Sequence, residues 1–134
     1  LIAGGTGFAP IKSILRHVLE TGIVRPVELY WGVREAADLY EDAELLALAQ
    51  RHAQLRYCGV LSHAKAAAAA HQRLGWVHEA VLADHADLAA WDIYVAGPPA
   101  LVEAVRAQYP AQAARPERIF FDSFDYAPRA QEVG

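Results

Sequence analysis

Apolar residues along the chain change repeatedly between helical and strand spacing. Within residues 10–20 they recur three, four, seven and eight positions after Ile11, which predicts one apolar face of a helix. Residues 27–33 read Val-Glu-Leu-Tyr-Trp-Gly-Val, and such a β-branched and aromatic run predicts a strand. The same patterns predict further helices in residues 38–52, 77–85 and 100–108, and further strands ending at Ala3 and in residues 55–60, 91–96 and 119–121.

This alternation of strands and helices predicts an α/β fold. Neighbouring parallel strands need crossover connections, which the intervening helices supply. We therefore expect a Rossmann-like parallel sheet of approximately five strands with helices on both faces. The alanine run in residues 66–70 fits either a short helix or a surface insertion. Residues 127–134 begin Ala-Pro-Arg-Ala-Gln-Glu, and we expect them to form a flexible tail.

The sharpest local motif joins the first strand to the first helix. Residues 4–10 read Gly-Gly-Thr-Gly-Phe-Ala-Pro. Glycines let the backbone turn tightly and approach a ligand, while the free N–H groups of the following helix favour a pyrophosphate. Thr6 adds a hydroxyl donor, and an ordinary strand-to-helix turn is the alternative. An ATP-binding P-loop is not predicted, because it needs Gly-Lys-Ser/Thr where Phe8 and Pro10 stand.

A second glycine motif follows a later strand. Residues 95–102 read Val-Ala-Gly-Pro-Pro-Ala-Leu-Val, again a strand that leads into a helix. Gly97 permits close approach of a flat ligand, and the prolines stiffen the start of the helix. Alone, this segment fits an ordinary loop equally well. Its weight comes from repetition, because both motifs follow strands of one parallel sheet and so lie at the same edge.

Charge and cysteine content narrow the class of function. The 134-residue chain has a formal charge of −4 and one cysteine, Cys58. No nucleic-acid partner is expected, because clustered Lys and Arg are lacking. No metal is expected either, because one cysteine and six scattered histidines lack the spacing of a metal site. Without a signal peptide or an apolar run near the roughly 20 residues of a membrane helix, we expect a cytoplasmic protein with no membrane partner.

Taken together, these motifs resemble those of the ferredoxin-NADP reductase-like flavin oxidoreductases across almost the whole chain. The likeness is greatest to reductase components of bacterial oxygenases and to the CDP-6-deoxyhexulose reductase type. It is carried by the glycine turn of residues 4–10, by Trp-Gly-Val-Arg in residues 31–34 with Asp-Leu-Tyr in 38–40, by Val-Leu-Ser in 60–62, by Gly-Trp-Val in 75–77, by Gly-Pro-Pro in 97–99 and by Phe-Phe-Asp-Ser-Phe in 120–124.

The resemblance implies an NAD(P)-binding domain in residues 1–126. It also implies a flavin-binding barrel that precedes this domain in the same protein and that we expect to be absent from this chain. That barrel would hold most of the FAD or FMN. The flavin would take hydride from NADH or NADPH and pass electrons to a downstream acceptor such as an iron-sulfur protein or an oxygenase. NADH is favoured over NADPH, because acidic Glu35 and Asp38 follow Arg34 closely and repel an extra phosphate.

Site residues carry over from the family by position, and none of them is expected to act as a catalytic acid or base. The resemblance places Gly4, Gly5, Thr6 and Gly7 on the pyrophosphate and nicotinamide side, in the turn that Pro10 completes. It places Gly32, Arg34 and Tyr40 near the adenosine. Gly97, Pro98 and Pro99 would lie beside the nicotinamide, and Phe124 near the flavin ring. Ala96 departs from the cysteine that many members have before Gly-Pro, so a thiol role is lost.

Two other functional classes remain open at this level. The first is a flavin-independent NAD(P)-dependent epimerase or dehydrogenase, which would need a Tyr-x-x-x-Lys pair for proton transfer. The chain has only Lys12 and Lys65, and neither stands four residues after a tyrosine. The second is a non-catalytic nucleotide-binding module.

Overall fold

A computed structural model describes residues 1–67 and 69–123 of the chain. Phe124 and the proposed tail in residues 127–134 lie outside the described residues. Within the described part, strands and helices alternate along most of the chain. They are β1 (Ile2–Gly4), α1 (Phe8–Glu20), β2 (Val27–Val33), α2 (Asp42–Arg51), β3 (Leu55–Leu61), β4 (Gln72–Leu74), α3 (Val77–Asp84), β5 (Ile93–Gly97), α4 (Pro99–Gln108) and β6 (Ile119–Ser123).

The described strands form one parallel sheet in the order β4-β3-β2-β1-β5-β6. This confirms the predicted α/β fold with a parallel sheet. The sheet has six strands rather than approximately five, because β4 was not predicted. Its residues read Gln-Arg-Leu, too short and too polar to show a strand pattern, and they pair with β3 through a register that sets Leu61 beside Leu74.

Successive side chains of the strands point to opposite faces of the sheet, so a core layer forms on each face. On β2, Leu29 and Trp31 face the layer that α1 and α2 cover, whereas Tyr30 faces the layer of α3 and α4. The amphipathic α1 contributes buried Ile11 and Leu15. Helices therefore cover both faces, as the alternating pattern predicted.

The start of the second helix differs from the prediction. Residues 36–38 form a 3-10 turn, and α2 begins only at Asp42. The Glu35 side chain accepts the backbone N–H of Asp38, and the Asp38 side chain accepts the backbone N–H of Glu35. This reciprocal capping stabilises a separate turn that ends at Asp38, so the helix predicted in residues 38–52 begins four residues later than expected.

The described residues of the alanine run do not form the short helix that was one of its two predicted forms. Residues 66–67 and 69–70 are exposed and are not helical. His71, which follows the run, bonds the Asp42 carboxylate through Nε2 at 2.9 Å and so fixes the end of this surface segment on α2. No helix in residues 1–67 or 69–123 has the length and apolarity to cross a membrane.

Candidate functional site

The connections that leave β1 and β5 diverge to opposite faces of the sheet. These strands are neighbours, yet β1 leads to α1 on one face and β5 leads to α4 on the other. Such a reversal opens a crevice at the carboxyl ends of the strands. A cleft of about 760 Å³ lies there, within the usual size range of small-molecule sites.

Glycines make the floor of the cleft possible. A Cβ on Gly97 would lie 3.2 Å from the Cα of Gly4 and 2.9 Å from Leu101 Cδ2. A Cβ on Gly4 would likewise meet Leu101 Cδ2 at 2.9 Å. Side chains at these two positions would therefore crowd the crevice from which the connections diverge.

Three aromatic rings support the side of the cleft next to α1. The Phe8 and Trp31 rings are stacked with centroids 4.1 Å apart and an angle of 12° between their planes. The Tyr40 ring meets Trp31 edge-on at 5.0 Å. Phe8 and Trp31 are fully buried, whereas Tyr40 is 58% exposed and lines the cleft. The buried pair therefore fixes the position of the exposed ring.

Charged groups lie mainly at one end of the cleft. Arg34 follows β2, is exposed, and has no ion pair among the residues that the structure describes. Asp38 also lines the cleft, but its Oδ2 accepts the Glu35 N–H at 3.1 Å. This geometry leaves the guanidinium available for an anionic ligand, with a carboxylate held close by.

The opposite wall comes from the end of β3, the residues that follow β3 and β4, and the start of α3. Its members include Val60, Ser62, Gly75, Trp76, Val77 and His78. Trp76 is 53% exposed, and the His63 ring meets it edge-on at 5.8 Å. Gly32 lets this wall approach the sheet, because a Cβ there would lie 2.6 Å from Val77 Cβ. The cleft is thus bounded by elements from both halves of the sheet.

The structure brings most of the predicted site residues together. Those that line the cleft are Gly4, Gly5, Thr6, Gly32, Arg34, Tyr40 and Pro98. Others support it from outside the lining: Gly97 lies beneath Leu101, Gly7 packs on Ala96, Pro10 stands in α1 and Pro99 begins α4. Phe124 lies outside the described residues, so its predicted place near a flavin stays a prediction.

Sequence reasoning missed most of the wall opposite α1. Ser62 and Trp76 belong to short motifs that carried the family resemblance, yet neither was predicted to contact the ligand. For Ser62 the available signal was its place directly after the predicted third strand of a parallel sheet. Trp76 follows β4, which the sequence did not predict, so it had no such signal. His78, Ala100 and Leu101 had no such signal, because they lie one or more residues inside helices. Within residues 1–67 and 69–123, no group of three His, Cys, Asp or Glu side chains is arranged to hold a metal ion.

Comparisons with known proteins point to one family. A family model described as an oxidoreductase NAD-binding domain matches residues 1–107. The NAD(P)H-flavin reductase of Aliivibrio fischeri is 39% identical over 127 residues, which are 94% of this chain and 52% of that protein. A reductase component of the naphthalene 1,2-dioxygenase system of Pseudomonas putida is 38% identical over 123 residues, 92% of this chain and 37% of that protein.

A solved structure extends this similarity to the fold. The Amycolatopsis cytochrome P450 reductase GcoB superimposes with a TM-score of 0.84 at 36% sequence identity, over 92% of this chain and 36% of that one. The chain therefore spans about half the length of the flavin reductase and little more than a third of the other two proteins.

Proposed function

Since this chain belongs to the oxidoreductase NAD-binding domain family, we propose that its cleft binds NAD(P)H, with NADH preferred, and presents the nicotinamide to a flavin. The observation that carries the proposal is the meeting of two glycine-ended strands, β1 and β5, where their connections diverge. Bound NADH and a flavin supply the hydride donor and acceptor, and the protein supplies binding and orientation. The flavin-independent alternative is not favoured, because the similar proteins are flavin reductases and reductase components.

The pyrophosphate binds at the turn between β1 and α1. Gly5 and Thr6 line the cleft at this turn. The 13-residue helix α1 begins directly after the turn, with Gly7 as its N-cap. The free N–H groups and the positive end of a helix dipole favour an anion at this position. The exposed Thr6 hydroxyl adds a donor beside the backbone groups.

The nicotinamide lies across the glycine floor. Gly4 lines the cleft with backbone only and Gly97 lies directly behind it, which leaves room for a flat ring between Leu101 and the turn. Pro98 limits the motion of the loop that follows Gly97, since its ring fixes one backbone angle. This part of the cleft therefore holds the ring by shape rather than by charge.

The adenosine end lies beside Arg34 and Tyr40. Among the described residues that line the cleft, Arg34 is the only Lys or Arg. Arg34 is then the single positive charge beside the adenosine, whereas the 2'-phosphate of NADPH adds negative charge close to Asp38 and Glu35. Electrostatic repulsion from these carboxylates is the physical reason to prefer NADH.

The flavin-binding region and the electron acceptor are further parts of the proposal. We propose that residues 1–126 are the nucleotide-binding domain of a longer reductase, whose separate flavin-binding domain holds most of the FAD or FMN. The chain covers about half or less of the length of its similar proteins, which supports this division. An iron-sulfur protein or an oxygenase component then fits as the downstream acceptor, by analogy with the dioxygenase reductase.

Parallel calorimetric titrations of the chain with NADH, NADPH and FAD test this function. We expect NADH to bind with a Kd between micromolar and millimolar, NADPH more weakly, and FAD little. Gly97→Ala should weaken NADH binding, because its methyl group would crowd Gly4 and Leu101 at the cleft floor. Stoichiometric, tight FAD binding would place the flavin site within this chain and contradict the division of labour.

A further inference from the structure

Trp31 connects the glycine turn to the interior of the domain. Its side chain is fully buried, and its indole Nε1 donates a hydrogen bond to the Gly5 carbonyl oxygen at 3.0 Å. The stacked Phe8 ring prevents the indole from rotating away. This hydrogen bond joins an inward-facing side chain of β2 to the backbone of a turn that lines the cleft.

The hydrogen bond fixes the orientation of one peptide group. The Gly5 carbonyl and the Thr6 N–H belong to the same trans peptide, so they point in opposite directions. Because the carbonyl points to the buried indole, the Thr6 N–H points away from the interior. Thr6 itself is exposed and lines the cleft. The turn therefore directs the Thr6 N–H, a donor, away from the core and keeps the Gly5 carbonyl, an acceptor, directed toward it.

Gly5 by itself does not select this orientation. It has a φ of +56°, and a Cβ built on it would meet nothing within 4 Å. Glycine in open space adopts many backbone conformations at little cost, including ones with the carbonyl rotated outward. An outward carbonyl oxygen would repel a phosphate group, whereas an outward N–H attracts one.

We propose that Trp31 is a positioning residue for the pyrophosphate: its indole N–H retains the Gly5 carbonyl inside the domain so that the Thr6 N–H faces the ligand. This inference rests on the proposed NADH site. It assigns to a buried residue of β2 an effect on ligand affinity that its packing alone would not produce.

The sharpest test removes the N–H and keeps the ring. Position 31 is replaced with 3-benzothienylalanine, in which sulfur stands in place of the indole N–H, and Trp31→Phe serves as the genetic counterpart. Binding of NADH, ADP-ribose and adenosine to the 134-residue chain is then measured by NMR titration. We expect the Kd of NADH and of ADP-ribose to rise about three- to tenfold, the effect of losing one net hydrogen bond. The Kd of adenosine, which has no phosphate, should stay unchanged.

Tyr30→Phe is the matched control. Tyr30 neighbours Trp31 on β2 but faces α3, where its hydroxyl donates to Asp84 at 2.6 Å. This variant also removes one polar group from a buried aromatic side chain, so it should lower the Tm without changing the Kd of NADH. A rise in its NADH Kd equal to that of the Trp31 variants would show that loss of stability explains both effects and would overturn the positioning role.

The remaining outcomes separate this inference from the proposed function. An unchanged NADH Kd in the benzothienylalanine variant would overturn the role of Trp31 and leave the NADH site intact. An equal loss of adenosine binding would overturn it too, because the effect would then extend beyond the phosphates. If the unchanged chain bound neither NADH nor ADP-ribose, the proposed function would fail, and this inference would fail with it.

Discussion

Gly7 lies directly against the backbone of Ala96. A Cβ at Gly7 would come within 2.2 Å of the Ala96 carbonyl oxygen and 2.8 Å of the Gly97 nitrogen. The first turn of α1 is thereby packed on β5, the strand whose end forms the other side of the crevice. Neither backbone segment can move without displacing a strand or a helix, so the contact sets the geometry of the cleft.

Gly7→Ala should therefore destabilise the domain and disturb the ligand site together. We expect a loss of about 2 kcal/mol or more in the free energy of unfolding, because the added methyl group overlaps rigid backbone. The Kd of NADH should rise as α1 shifts. Urea unfolding and calorimetric titration measure the two effects.

The control is Gly22→Ala at the far end of α1. Gly22 has a φ of +76° with open space around it, so this variant tests backbone strain without overlap. It should cost about 1 kcal/mol and leave NADH affinity unchanged. Equal stability losses in the two variants would contradict the packing argument for Gly7.

Thr6→Val should weaken NADH binding through loss of one hydroxyl group. The shape of the side chain is nearly conserved, so we expect a three- to tenfold rise in Kd, about the value of one hydrogen bond. Thr21→Val is the matched variant, because the Thr21 hydroxyl donates to the His17 carbonyl oxygen at the C-terminal end of α1. Unchanged NADH affinity in Thr6→Val would exclude the hydroxyl from the site.

Arg34→Ala should raise the Kd of NADH roughly tenfold, because a charge-assisted contact is lost. NADH binding to the unchanged chain should also weaken with added salt, and the variant should show a smaller salt effect. Arg56→Ala is the control, since its side chain is 82% exposed and lies outside the cleft lining. A similar loss in both variants would indicate a general charge effect rather than a contact with Arg34.

Asp38→Asn should reduce the preference for NADH over NADPH. The amide oxygen can still accept the Glu35 N–H, so the capped turn remains while one negative charge is removed. We expect NADPH affinity to rise several-fold and NADH affinity to change little. Equal affinity of the unchanged chain for the two nucleotides would refute the electrostatic basis of the preference.

The edge of the sheet opposite the cleft should give the fold part of its pH dependence. Asp92 lies at this edge and accepts hydrogen bonds from Arg118 and Arg25. These bonds, and mainly the one from Arg118, hold the pKa of the Asp92 carboxyl below its ordinary value. A carboxyl with a lowered folded-state pKa stabilises the fold above the unfolded value, near pH 4, and loses this effect as the pH falls through the folded-state pKa.

Asp92→Asn should consequently lower the Tm by about 2 °C at pH 7, and the difference should shrink as the pH falls from about 4 through the folded-state pKa of Asp92. Thermal unfolding across this pH range measures the effect, and NADH affinity at pH 7 should not change. A difference in Tm that stayed constant down to pH 2 would show that packing, and not charge, explains the loss.

Elements with a strong local pattern could be predicted because their cause is local. The spacing of Ile11 and Leu15 reflects one buried face of α1, and the alternation along β2 reflects two buried faces of a sheet. β4 escaped prediction because Gln72–Leu74 is a strand only through its pairing with β3. The late start of α2 depended on a capping contact between Glu35 and Asp38 that the apolar pattern does not record.

The candidate site likewise has parts that the sequence predicts and parts that only the tertiary structure shows. Sequence alone determined the glycine turn, the second glycine motif and the polar residues after β2, because tight turns and helix starts need particular residue types at fixed positions. The tertiary structure decided that β1 and β5 are neighbours, that Ser62 and Trp76 form the opposite wall, and that Trp31 holds the Gly5 carbonyl. Those relationships join residues far apart in the chain, and they follow from the order in which strands and helices pack, which local spacing does not encode.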